Sequence, residues 1–148
     1  MQAAHPANTP HPDQAARAAS SAPLSPRQAA ILVTWGVLLW FAVALFIRWA
    51  PPALFGRGVA TALLFAAAAP IAWASIWATQ RVASLRPGQL VAGAALASAA
   101  AMFCDGIALT WSSLYGSGTD LVPAAAWLLW GVAAILTAAF AIAHRHGV

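Results

Sequence analysis

One carboxylate stands inside an otherwise apolar run: Asp105, in the stretch AMFCDGIALTW at residues 101–111. The chain has only three acidic residues, so placing one where water is scarce needs a physical reason. A bare carboxylate near the centre of a membrane helix costs about 2.5–3.5 kcal/mol on insertion scales, so it is expected to be protonated, paired or wetted. As structure, Asp105 would pair with a cation and fix which helices are neighbours. As function, it would be a protonatable or cation-binding group beside an outward-facing vestibule, with Ser98, Ser112 or Tyr115 near it. A neutral Asp105 bonded to a backbone carbonyl is the third possibility.

Arg48 is the expected partner. At a rise of 1.5 Å per residue, Arg48 falls roughly 13 Å and Asp105 roughly 9 Å to the same side of the middle of their spans, within reach of an arginine side chain. Arg57, which flanks the second span on that side, competes for the role.

Other chemistries find fewer residues. His5 and His11, each followed by Pro, are two ligands in a flexible arm, too few for a firm metal site. His144 and His146 flank Arg145 in AHRHGV and read as a solvated helix end. Paired axial histidines at one depth, as a bundle haem would need, are missing. The single cysteine, Cys104, has no intramolecular partner and reads as a small apolar filler. No nucleophile and base can be assembled, so no catalytic residue, metal or cofactor is expected.

The elements that must position these groups follow from composition. Of the 148 residues, 62% are hydrophobic and only 7% charged, against about 25% charged in a soluble domain. Such a chain lacks the polar surface to cover a soluble fold, whereas a bilayer asks for runs of about 20 apolar residues and this chain has four of them. The formal charge of +4 comes from seven arginines scattered at the ends of those runs. They form no patch, which excludes nucleic acid as the expected partner and makes the lipid bilayer the first one.

The expected fold is all-α, an integral membrane four-helix bundle with a disordered N-terminal arm over residues 1–27. The arm is rich in Ala, Pro, Gln, Ser and His without apolar periodicity, and it lacks the charged start of a secretory signal peptide. Spans are expected at about 29–49, 58–79, 88–110 and 121–143, within one domain at 28–148. Pro51-Pro52 ends the first, Pro70 is expected to kink the second, and Thr119 or Asp120 to cap the fourth. Alternating ten-residue segments, the mark of a membrane β-barrel, are absent from the sequence.

Counting basic flanks places Arg17, Arg27, Arg81, Arg86 and Arg145 on one side and Arg48 and Arg57 on the other, so both termini are expected in the cytoplasm. Trp35, Trp73 and Trp77 then fall toward the inner interface, and Trp49, Trp111 and Tyr115 toward the outer one. On the third span, at 100° per residue, Ala94, Ala97, Ser98, Ala101, Asp105, Ala108 and Ser112 share one face, with Leu96, Phe103, Ile107 and Leu114 opposite. The small face suits helix contact in lipid, which sets Asp105 in a packing seam.

The pattern TWGVLLWFAVALFIRWAPPALFG, followed two spans later by FCDGIALTWSSLYG and a final Trp-rich span, resembles a family of short bacterial four-span membrane proteins classed as a domain of unknown function. The resemblance covers residues 29–145. It places the family's arginine at the outer end of span one on Arg48 and its aspartate in span three on Asp105. Where such proteins often show a Phe-Pro step after span three, this chain has SSLYGSG. The resemblance implies a bacterial inner membrane and no particular activity. The expected role is a structural or accessory membrane component, pairing with itself or a larger complex. The alternative is a small proton- or cation-coupled transporter using Asp105, with a membrane-embedded enzyme third.

Overall fold

A computed structural model of the chain describes residues 23–111, 114–115 and 121–145. It contains four long helices: α1 (Pro26–Trp49), α2 (Val59–Val82), α3 (Leu90–Trp111) and α4 (Leu121–Arg145). Each is long and apolar enough to cross a membrane, so the chain is a multi-pass membrane protein of four helical spans. No strand occurs among the described residues. His5, His11, Arg17, Ser112, Thr119, Asp120 and His146 lie outside them.

Helix α1 begins three residues before the expected start, for a local reason. Ser25 and Gln28 form a capping box: the Gln28 amide donates to Ser25 Oγ at 3.2 Å, and the Ser25 amide donates to Gln28 Oε1 at 3.0 Å. Pro26 occupies the first helical position, where its missing N–H costs nothing. Residues 23–27 are therefore part of the fold and not of a free arm: Pro26 and Arg27 are helical, and Leu24 packs against the core. At the other end Pro51 and Pro52 stop the helix, and a 3-10 turn, Pro52–Phe55, leads into α2.

Pro70 lies within α2, which continues through it to Val82. The helix closes with Ser84 at φ 49°, the left-handed position usually given to glycine, while the Leu85 amide donates back to the Gln80 carbonyl at 3.0 Å. A second 3-10 turn, Pro87–Gln89, opens α3.

The helices are not packed in chain order. Helix α1 lies along α3, α3 along α4 and α4 along α2, while α1 and α2, though consecutive, barely touch. Two apolar cores result. The first, at the end carrying both α1's start and α4's end, is built from Leu32, Ile76, Leu90 and Ala139. The second, at the opposite end, gathers Ala44, Ile47, Phe55, Tyr115 and Trp127.

Helix α3 shows the seam most clearly. Ala94, Ala97, Ser98 and Ala108 are buried, whereas Phe103 and Ile107 are 77% and 60% exposed on the far side, a surface suited to acyl chains. Where α1 crosses α3, Gly36 rests on the Ala97 backbone with no room for a side chain.

At the first end a polar knot joins three segments. Gln89, buried within it, donates from Nε2 to the Pro23 carbonyl at 3.1 Å, and its Oε1 accepts from the Arg86 amide at 3.1 Å. Gln28 Nε2 adds bonds to Gln89 Oε1 and to the Ala83 and Ser84 carbonyls. Arg81 lies over the Trp77 ring at 4.8 Å and Arg145 over Trp73 at 5.6 Å, pairs that place cation and indole together as at a membrane interface.

Candidate functional site

The site is assembled from three segments that meet at Asp105. Trp40 is the α1 side chain level with it, and its Nε1–H donates to Asp105 Oδ1 at 2.7 Å. Tyr115, four residues past the end of α3, turns back so that its hydroxyl donates to the same oxygen. The Trp40 indole is shared, with Tyr115 Oη a second acceptor at 3.3 Å. Two donors converging on one carboxylate oxygen is the arrangement of charge-assisted hydrogen bonds, roughly twice as strong as neutral ones.

Asp105 and Arg48 do not make the expected ion-pair contact. Arg48 stands two helical turns beyond Trp40 on α1, and its Nη1 donates to the Leu114 carbonyl at 3.2 Å. Asp105 and Arg48 thus hold neighbouring residues of one turn, the first by the Tyr115 side chain and the second by the Leu114 main chain. Arg57, the other arginine weighed for the pair, is exposed before α2 and has no hydrogen bond or ion pair among the described residues.

Tyr115 is also not the interfacial ring expected from its position. It is buried at 2% exposure in the second core, while Trp49 and Trp111 at the same end are outward-facing. Burial pushes its phenol well above the ordinary range, and the hydrogen bond to Asp105 and that group's charge push it further. The hydroxyl therefore keeps its proton and acts as donor.

Between the two cores lies a chamber of about 140 Å³ with walls from all four helices. Its lining is mostly apolar; Asp105, Ser98, Ser75 and Thr79 are the polar side chains on it. Thr79 is engaged, accepting from Trp35 Nε1 at 3.1 Å and donating to the Ser75 carbonyl at 2.7 Å. Asp105 is only half engaged. Both of its hydrogen bonds fall on Oδ1, and Oδ2, which is not fully buried, has no partner among the described residues.

Ser98 is buried on the chamber wall, seven residues before Asp105 on the same face of α3. Cys104 is half-buried beside it in sequence. His144 is exposed at the end of α4. No group of three or more His, Cys, Asp or Glu side chains able to hold a metal occurs among the described residues.

Sequence reasoning missed Trp40. An indole in an apolar span reads as packing or as an interface anchor, and nothing in its neighbours marks it as a donor to a carboxylate 65 residues away. The acceptors of the α4 indoles are equally unmarked in the sequence: Trp127 and Trp130 donate to the Leu64 and Phe65 carbonyls of α2 at 3.2 and 3.1 Å. No protein-family model, curated protein or solved structure matches this chain.

Proposed function

We propose that the chain is a small structural or accessory component of a bacterial inner membrane, both termini cytoplasmic, which works by pairing with itself or with a larger membrane complex. The observation that carries the reading is the clasp at Asp105. Its carboxylate is used to bind α1 and the turn after α3 to α3 itself, as a group retained for architecture would be. The interhelical indole bonds serve the same end, joining α1 to α2 through Trp35 and α4 to α2 through Trp127 and the more exposed Trp130. The orientation rests on Arg27, Arg81, Arg86 and Arg145 at one end against Arg48 and Arg57 at the other.

A double-mutant cycle on unfolding in detergent tests the clasp, comparing wild type with Trp40→Phe, Asp105→Asn and both. A hydrogen bond to a charged acceptor contributes about 1.5–3 kcal/mol, so a coupling above about 1 kcal/mol is expected. Coupling near zero, with Asp105→Asn as stable as wild type, would remove the architectural reading.

A second reading, a small proton- or cation-coupled transporter, is favoured by one observation: Asp105 lies on the chamber wall with its second oxygen unengaged. Proteoliposomes loaded with a pH-sensitive dye test it. Proton flux lost in Asp105→Asn but kept in a folded control supports transport, and equal flux in both refutes it.

A further inference from the structure

The chamber has the chemistry of a ligand site, and the unengaged oxygen of Asp105 says what the ligand must carry. Ligand pockets are concave, mostly apolar and furnished with a few convergent polar groups. This one has walls from Leu39, Val43, Ile71 and Val132, with a carboxylate set into one of them. Its volume of about 140 Å³ is close to the roughly 150 Å³ of an engineered apolar cavity that admits benzene. The body of the ligand is thus apolar and about one ring in size.

The head of the ligand follows from hydrogen-bond accounting. Asp105 Oδ1 already receives an indole N–H and a phenol O–H, whereas Oδ2 receives nothing from the described residues. An ionised carboxylate has about four acceptor sites, and here only one of its oxygens is used. In apolar surroundings the missing donor is worth most if it also brings positive charge. A bare calcium or magnesium ion fits poorly, because it takes six or more oxygen ligands and this wall offers too few, and no three His, Cys, Asp or Glu side chains gather for zinc among the described residues. An ammonium group on an apolar body meets both requirements at once.

The route in is the seam between α1 and α2. These helices are held together by the Trp35–Thr79 bond toward one end and by the 3-10 turn at the other, with little contact between. Ile71, which lines the chamber, is half-exposed to the outside of the bundle. A molecule that partitions into the bilayer therefore reaches the chamber from the side.

We infer that the chamber binds a small lipophilic ammonium ion, its apolar body between the four helices and its N–H donating to Asp105 Oδ2. This deepens the transport reading by naming a ligand class, yet binding and transport are separate readouts.

The test is calorimetric titration of the full chain in lipid nanodiscs with benzylammonium, against empty nanodiscs, with benzyl alcohol as the uncharged comparison. Saturable binding of benzylammonium is expected, at least tenfold tighter than that of benzyl alcohol. Asp105→Asn turns the Oδ2 acceptor into an N–H donor and removes the charge, so it is expected to weaken benzylammonium at least tenfold and to weaken benzyl alcohol by less. Ala101→Phe places a ring in the chamber one turn from Asp105 and is expected to abolish saturable binding of both.

Benzylammonium bound no better than benzyl alcohol by the wild type overturns the inference, as does the absence of saturable binding. That wild-type comparison decides the matter even if Asp105→Asn does not fold. Binding without proton flux leaves the inference standing and refutes transport. Flux without binding does the reverse.

Discussion

Replacing Gly36 with alanine adds a single methyl group where α1 crosses α3. A Cβ at this position would lie 3.0 Å from the Ala97 carbonyl carbon and 3.1 Å from its Cα, with the carbonyl oxygen nearer still, whereas ordinary contact begins at 3.4 Å. The obstacle is main chain, so no rotamer change relieves it, and the two helices must separate by something on the order of 1 Å. Overpacking of this kind costs about 1–3 kcal/mol. Alanine recovers about 1 kcal/mol of helix propensity over glycine, leaving a net loss of about 0–2 kcal/mol against wild type and of about 1–3 kcal/mol against an unobstructed Gly→Ala.

Two internal controls make the measurement decisive. Gly106 in α3 and Gly131 in α4 have nothing within 4 Å of an added Cβ, so Gly106→Ala and Gly131→Ala are expected to be neutral or slightly stabilising. Ala97→Gly removes a side chain but not the offending carbonyl, so it is expected not to rescue Gly36→Ala. The assay is reversible unfolding in mixed micelles, followed by tryptophan fluorescence. If Gly36→Ala is as stable as Gly106→Ala, the close approach of α1 and α3 is wrong, and the level pairing of Trp40 with Asp105 loses its support.

Two further outcomes are expected. Gln89→Leu keeps side-chain volume but strips partners from the Arg86 amide and the Pro23 carbonyl, so it should cost about 1–3 kcal/mol in the same assay, and a neutral result would show that water replaces those bonds without loss. Tyr115 is the only tyrosine, so tyrosinate absorbance reports it alone. Its folded phenol titrates above the unfolded value of about 10, so its contribution to stability is complete below about pH 10 and declines as pH rises from there through the folded value. Ionisation near pH 10 in the folded protein would mean the ring is not buried against Asp105.

The helices were legible because length and apolarity leave a four-span chain few alternatives, and because Pro51, Pro52 and Pro87 mark where spans stop and start. The lateral position of Asp105 was legible too, since the residues one and two turns from it on α3 are small. Its partners were not. Depth measured from span midpoints ranked Arg48 first, but that measure ignores how helices slide along one another, and Trp40 is the α1 residue that arrives at the right level. Tyr115 was placed by the aromatic-belt rule, which describes rings left outside a bundle and not one drawn inward by a carboxylate. The Gln28–Gln89 contact spans 61 residues and has no local signature at all.

The crossed order of the bundle also bears on how the protein is made. A nascent chain that has released α1 and α2 into the bilayer holds two helices with almost no mutual surface, joined by a short turn. Association of membrane helices relies on packing and interhelical hydrogen bonds, and here the extensive contacts of each lie with a helix synthesised later, α3 for the first and α4 for the second. The Trp40 indole meets its carboxylate only once α3 is inserted, and the Leu64 and Phe65 carbonyls meet their indoles only with α4. Folding is thus deferred until the third and fourth helices are inserted, and a product truncated after its second span is left as two unpaired helices exposed to membrane quality control.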